Sequence, residues 1–442
     1  MKLRANRRKF MQTTAAVGVG FWATGSLKPV RAQDANSQVQ IACVGVGGKG
    51  DSDSSDAGRL AKVVGICDID ERNLNKKANN YPDAKKFVDF REMFAELGDK
   101  FDAVTVSTPD HNHALVSISA MMLGKHCFCQ KPLTHDIWEA RMMGEVARKQ
   151  GVITQMGNQG TAHDGLRRAA KFLQQGGLGT VREVHVWTNR PIWPQGNERP
   201  KEEQEVPPHI HWDQWLGTAP FRPFHAETYH PFNWRGYWDF GTGALGDMAC
   251  HTFNMPFMGL ELRDPTSVQA RTSGHNGDTY PGWSVIDFEF PARGDRAALK
   301  MTWYDGGERP GTDILGDIKP ADSGLMIIGS EGKLYSPNDY GAEYDLIGVE
   351  EPKDIEFNKS PGHFNEFIMG IKGEYKPVSN FPDYAGPLTE TILLGNLAVW
   401  SGKRVNWDAQ GLKAENAPEL DKIIHREYRD GFSVDEALMA HA

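Results

Sequence analysis

Six residues, Gly45-Val46-Gly47-Gly48-Lys49-Gly50, limit what this chain can fold into more than any other stretch. They read Gly-x-Gly-x-x-Gly, grow directly out of an apolar, β-branched run at 39–46, and precede a segment of helical length. A second strand-like run, Lys62-Val-Val-Gly-Ile-Cys, then ends in Asp68. A glycine turn alone is often only a turn, but strand, turn, helix, strand and acid in register open a doubly wound parallel sheet that binds a dinucleotide. Glycines let the turn tighten and let backbone approach a pyrophosphate, whose charge meets the N-terminus of the following helix. The pattern assigns Gly45, Gly47, Gly48 and Gly50 to the phosphates and Asp68, about 20 residues on, to the adenosine ribose. A carboxylate there repels a 2′-phosphate and no arginine directly follows it, so NAD is expected in preference to NADP.

Residues 71–160 keep alternating between helical and strand character, as a doubly wound sheet requires. Strands are expected over 84–90, 101–107, 125–130 and 152–156, and helices over 71–81, 91–97, 113–123 and from Asp136, where Glu139 completes a capping box. Ligands of such sheets sit beyond the carboxyl ends of the strands. That rule gathers Thr108, Pro109, His111, His113, Gln130 and Lys131 around the crevice that holds the glycine turn and Asp68, with Asn158 and Gln159 beside them.

The 442 residues suffice for two or three domains. The first 32 are expected to be a twin-arginine export signal: Asn6-Arg7-Arg8-Lys9-Phe10-Met11, a weakly apolar stretch, and Val30-Arg31-Ala32 for cleavage. Its apolar part is too short and glycine-rich to span a bilayer comfortably, and no other stretch is long and apolar enough. Loss of residues 1–32 removes seven basic residues and no acid, taking the net charge from -9 to -16. Nucleic acid and anionic membrane surfaces are therefore unfavourable partners. The five cysteines all lie in or beside apolar segments and suggest buried thiols of a protein that folds in the cytoplasm before export to the periplasm.

After residue 160 the composition shifts, which sets the expected domains at 33–160, for the cofactor, and 161–442, for substrate and assembly. Residues 187–238 carry six of the twelve tryptophans among prolines and tyrosines. Such a long irregular segment is too aromatic for disorder. Aromatic faces with nearby charged groups suit a sugar, and Trp187, Tyr229, Arg235 and Tyr237 are its candidate contacts, with core packing or a subunit contact as the alternative. His209 and His211 sit in a Pro-Pro loop with no obvious third ligand, so no metal is expected. Further on, Gly241-Thr-Gly-Ala-Leu-Gly246 leads into Asp247-Met-Ala-Cys-His251, whose spacing places Asp247 and His251 on one helical face.

The glycine turn, Cys67-Asp68-Ile69-Asp70, Thr108-Pro-Asp-His-Asn-His113, Lys131-Pro132 and Gly246-Asp247-x-x-x-His251 together resemble the Gfo/Idh/MocA oxidoreductases, over nearly the whole mature chain. The resemblance implies an N-terminal Rossmann domain and a C-terminal α+β domain, so an α/β chain whose second sheet is open-faced, largely antiparallel and often used for homo-oligomers. It implies that Lys131, matching the lysine of a Glu-Lys-Pro motif, lies beside the nicotinamide, with Asp247 and His251 completing a catalytic triad. Gln130 departs from the motif's glutamate and brings no negative charge. The function implied is NAD-dependent hydride transfer at a secondary hydroxyl of a sugar, with His251 also touching the substrate. Two alternatives stand: a glycosidase or lyase working through a transient keto-sugar with recycled NAD, and a non-catalytic sugar-binding protein.

Overall fold

Strands β1 (Gln40–Val44) and β2 (Lys62–Cys67) form where the apolar runs place them, with the helix Lys49–Leu60 between. β3 (Lys85–Phe87), β4 (Ala103–Val106), β5 (His126–Cys129) and β6 (Thr154–Met156) complete a six-stranded sheet in the order β3-β2-β1-β4-β5-β6. Every pairing in it is parallel. β4 and β5 are buried along their whole length, as strands covered by helices on both faces must be. The strand order reverses between β1 and β4, so the loops leaving them diverge and open a crevice at their carboxyl ends. The computed structural model describes residues 38–439; the export signal expected in residues 1–32 lies outside them.

The second sheet has nine strands. β7 (Val181–Trp187), β8 (Ser267–Thr272), β9 (Ser284–Phe290), β10 (Leu299–Tyr304) and β11 (Gly324–Gly329) follow the alternation of the sequence. Four short strands, β12 (Lys333–Pro337), β13 (Asp345–Ile347), β14 (Val405–Asp408) and β15 (Lys413–Ala414), extend it at both edges. The order is β13-β12-β11-β7-β10-β9-β8-β14-β15, antiparallel throughout except where β7 runs parallel to β10.

Ile286, Phe288 and Phe290 of β9 alternate with Asp287 and Glu289, so one face is apolar and covered. The helix Gly386–Ser401 covers it, apolar nearly all round because it is buried nearly all round. It lies close to the sheet at Gly395, where a Cβ would come within 2.9 Å of the Phe288 ring. On its other side Arg141 meets Glu390 through two hydrogen bonds of 2.8 and 2.7 Å, which tie it to the helix Ile137–Gln150. The helix His363–Ile371 packs back on the nucleotide sheet, with Phe364 stacked on Phe128 of β5 at 4.3 Å.

Between β7 and the helix Gly243–Thr252 runs a long strap, residues 188–242, with only one short helix, Trp212–Leu216, and a single 3-10 turn, Asn233–Gly236. Trp212, Trp215, Phe224, Tyr229, Trp234, Tyr237 and Phe240 give it a core of its own. The strap is pinned to the nucleotide sheet just past Asp68. Asp70 and Ile210 form an isolated β-bridge, the Glu71 amide donates to the His209 carbonyl (2.9 Å), and the His211 amide donates to the Ile69 carbonyl (2.9 Å). The ring of His211 meets the Glu71 carboxylate at 2.9 Å, so this histidine fastens a loop.

Candidate active site

The glycine turn is built by close approach. Gly45 has φ 76°, and a Cβ there would lie 2.5 Å from the Ser107 carbonyl oxygen at the end of β4. A Cβ at Gly50 would lie 2.0 Å from the Gly45 carbonyl oxygen, so Gly50 lets the helix close on the turn and does not itself line the cavity. Gly47 and Gly48 do line it.

Asp68 closes the other side. Its Oδ2 accepts from the amides of Val46 (2.8 Å) and Gly47 (3.0 Å), and its Oδ1 from that of Asp70 (2.9 Å). Burial raises its carboxyl above the usual aspartate value, and the backbone donors oppose that rise. Arg72, the nearest arginine along the chain, is turned to Asp70 through Nη2 at 2.8 Å. The residues fit NAD: the backbone at Gly48, open at a helix N-terminus, for the pyrophosphate, and a fixed carboxylate whose Oδ1 keeps a lone pair for a ribose hydroxyl.

From here a cavity of about 620 Å³ runs along the carboxyl edge of the nucleotide sheet to the end of β5, where it meets Lys131, Asp247 and His251. Its size suits a small-molecule site. Lys131 leaves the end of β5, while Asp247 and His251 project from one face of the helix Gly243–Thr252. Lys131 Nζ donates to Asp247 Oδ1 (2.8 Å) and to the Asp247 carbonyl oxygen (2.7 Å), and Arg235 Nε approaches the same Oδ1 at 3.3 Å. Burial works to raise the Asp247 carboxyl, but Lys131 and Arg235 outweigh it and hold it at about 2. His251 is pushed well below the ordinary imidazole value, first by burial and then by the Lys131 ammonium. It is therefore neutral near pH 7, and its Nδ1 has no hydrogen-bond partner among the described residues. The ring of Tyr340 lies edge-on to it, with centroids 4.8 Å apart.

Thr108, Pro109 and Gln130 line the cavity as expected, but His111 and His113 do not. His111 is buried between the carbonyls of Phe240 (3.1 Å) and Trp215 (2.9 Å), and burial lowers its pKa to about 3. His113 spans the carbonyls of Pro132 and Thr108, each at 2.8 Å. The two histidines hold the loops that form the cleft, and their motif spacing could not separate that role from contact with cofactor.

Of the aromatic candidates the structure corrects three. Trp187 is fully buried against Leu315, Met326 and Tyr335, with its Nε1 donating to the Ala321 carbonyl. Tyr229 and Tyr237 pack inside the strap, 4.8 Å apart. Arg235 does line the cavity, its guanidinium 4.3 Å from the Trp234 ring and 4.5 Å from that of Phe232. Trp193, Phe232, Trp234 and Tyr340 supply the aromatic surface instead. Trp193 and Trp234 belong to the tryptophan-rich stretch; Tyr340 follows β12 and carried no signal in the sequence. The five cysteines are buried and unpaired.

Two family models match the chain. One, described as an oxidoreductase family with an NAD-binding Rossmann fold, covers residues 14–158; the other, the C-terminal alpha/beta domain of an oxidoreductase family, covers residues 178–434. Among curated proteins, levoglucosan dehydrogenase from Pseudarthrobacter phenanthrenivorans is 24% identical over 153 residues, 34% of this chain and 31% of that protein. UDP-N-acetylglucosamine 3-dehydrogenase from Acidithiobacillus ferrooxidans is 26% identical over 152 residues, 34% of this chain and 46% of that one. The matched stretch thus spans less than half the length of either relative. The WlbA dehydrogenase of Bordetella pertussis, solved in complex with NADH and UDP-GlcNAcA, superposes with a TM-score of 0.62 at 18% identity. That likeness covers 84% of this chain and 99% of the other, and it shows a shared fold.

Proposed function

The chain belongs to the Gfo/Idh/MocA oxidoreductase family, and on that premise we propose that it oxidises a secondary hydroxyl of a sugar or sugar derivative with NAD. The observation that carries the reading is the meeting of Lys131, Asp247 and His251 at the end of a cavity that begins at the glycine turn. NAD, when bound by Gly45, Gly47, Gly48 and Asp68, supplies the hydride acceptor. His251 is neutral and lines the cavity, so it can take the hydroxyl proton. Lys131, held by the Asp247 side chain and carbonyl, presents its ammonium to the same oxygen and stabilises the charge that grows there. Asp247 keeps that ammonium from swinging away. The sugar class is supported by the names of the two curated relatives, by the Trp193 and Trp234 faces beside Arg235 and by the Tyr340 ring beside His251. Incubating the purified protein with NAD and a panel of sugars and nucleotide sugars, and following NADH, tests the reading. No reduction with any of them would overturn it.

A second reading, that NAD is retained and recycled within each turnover, is favoured by the strap. Its bridge at Ile210 lies two residues past Asp68, and His230 and Trp215 of the same strap line the cavity. A cofactor held this way suits an enzyme exported folded to the periplasm by a twin-arginine signal, where no nicotinamide pool is expected. Such an enzyme reduces a second substrate or returns the hydride to the first, as a redox-neutral glycosidase or lyase does. NAD(H) that stays with the protein through gel filtration, and turnover without added cofactor, are the expected results. Cofactor lost on the column, with NADH accumulating one for one with product, would leave an ordinary dehydrogenase. We also infer a homo-oligomer assembled on the outer face of the second sheet, which light scattering during gel filtration tests.

A further inference from the structure

Asp53 lies on the helix Lys49–Leu60, one turn past the glycine turn, and it is fully buried. Side chains from three elements converge on its carboxylate. Ser107 at the end of β4 donates its hydroxyl to Oδ2 at 2.8 Å, Gln130 at the end of β5 donates Nε2 to the same oxygen at 2.8 Å, and Lys49 pairs with Oδ1. The other end of the Gln130 amide, Oε1, accepts from the backbone amide of Lys131 at 3.2 Å.

The two ends of an amide are not interchangeable, since the nitrogen only donates and the oxygen only accepts. A carboxylate only accepts, so Asp53 decides which way round Gln130 sits. The amide packs against Gly157, where a Cβ would lie 2.5 Å from its nitrogen, so this glycine leaves the space that the amide fills. One chain of contacts therefore runs from the glycine-turn helix through Gln130 to the backbone of Lys131, whose ammonium meets Asp247. Position 130 carries no charge here; the buried carboxylate beside the lysine's strand comes from the helix instead.

We propose that Asp53 is a positioning residue for the catalytic lysine: by fixing the orientation of the Gln130 amide it sets the backbone of Lys131 against the cofactor cleft. The proposal rests on the oxidoreductase reading of the same site. It requires one carboxylate and one amide across the contact, and either residue can supply either group.

Four proteins decide it: wild type, Asp53→Asn, Gln130→Glu and the double variant Asp53→Asn/Gln130→Glu. The readouts are NAD affinity by calorimetry and the single-turnover rate of reduction of bound NAD by a sugar that the wild type oxidises. Asp53→Asn loses a charge-assisted hydrogen bond, and Gln130→Glu sets two buried carboxylates face to face. Each should weaken NAD binding about fivefold and slow reduction about tenfold, while the double variant returns both to within about threefold of wild type. A double variant no better than Gln130→Glu alone overturns the proposal, because a merely structural aspartate gives no such rescue. Should Asp53→Asn fail to fold by itself, the comparison of Gln130→Glu with the double variant still decides. The NAD affinities need no sugar, so they judge Asp53 even if the wild type reduces no NAD; that outcome would remove the oxidoreductase reading on its own.

Discussion

Lys131 Nζ lies 2.8 Å from Asp247 Oδ1, although 116 residues separate them. One comes from the end of a parallel strand and the other from a helix that leads into the second sheet. The contact makes the site a joint product of both regions of the chain. It also bears on the charge state of the site: Lys131 keeps Asp247 ionised against its burial, while burial first, and then the same ammonium, keep His251 neutral.

Replacing Lys131 with Met or His251 with Ala should leave NAD affinity within a few-fold of wild type. Turnover should fall about a hundredfold or more, the usual scale for a lost acid-base group. Steady-state rates and calorimetry on the same preparations check this. Wild-type turnover in either variant would show that the pair takes no part in the reaction.

Asp68→Ala should bring the affinities for NAD and NADP together, because it removes the carboxylate that opposes a 2′-phosphate. The remaining arginine in the neighbourhood, Arg72, stays bound to Asp70 and should give NADP no new anchor. Competitive titration of the two cofactors measures the gap. A gap unchanged in the variant would move the adenosine ribose away from Asp68.

The pH dependence follows from two depressed pKa values. His251 must be neutral to accept a proton, and burial, then Lys131, place its pKa well below 6.5. It stays competent as pH falls until that lowered value is reached, so kcat/KM should hold level from neutral pH down through the ordinary histidine value. An acid limb centred at the ordinary histidine value would contradict the assignment. Asp247, at about 2 when folded against 3.8 ordinarily, contributes stability that is fully present above about pH 4 and lost as pH falls towards 2. Urea unfolding at acid pH should show a smaller loss across that window for Asp247→Asn than for wild type.

His211→Ala should speed NAD release about two- to fivefold, as expected from losing one partly exposed ion pair that fastens the strap. Stopped-flow displacement of bound NADH reads the rate directly. An unchanged rate would mean that the strap does not restrain the cofactor at this point.

The nucleotide sheet was legible in the sequence because its determinants are local. A glycine that must adopt φ 76° at Gly45, apolar runs of strand length and an acid at the end of β2 sit within about 30 residues, so each constrains the next without help from distant chain. The capping box is of the same kind: Glu139 Oε2 accepts from the Asp136 amide at 3.2 Å, as the spacing foretold. Asp247 and His251 also share a helical face by spacing alone, but nothing local brings Lys131 to them.

The tertiary structure decided what an aromatic or histidine does once the chain is folded. Trp187, Tyr229 and Tyr237 have the composition of a sugar site, yet each side chain is buried where burial of its ring stabilises packing, and Tyr340 reaches the cavity from a distant loop. His111 and His113 read as cofactor contacts, yet each ring lies between two backbone carbonyls. Such roles depend on which surfaces meet across long sequence separations, and pairing of that kind leaves no period or spacing in the chain. Sequence therefore determined the local backbone and the chemistry available, while packing chose which of those groups face the cavity.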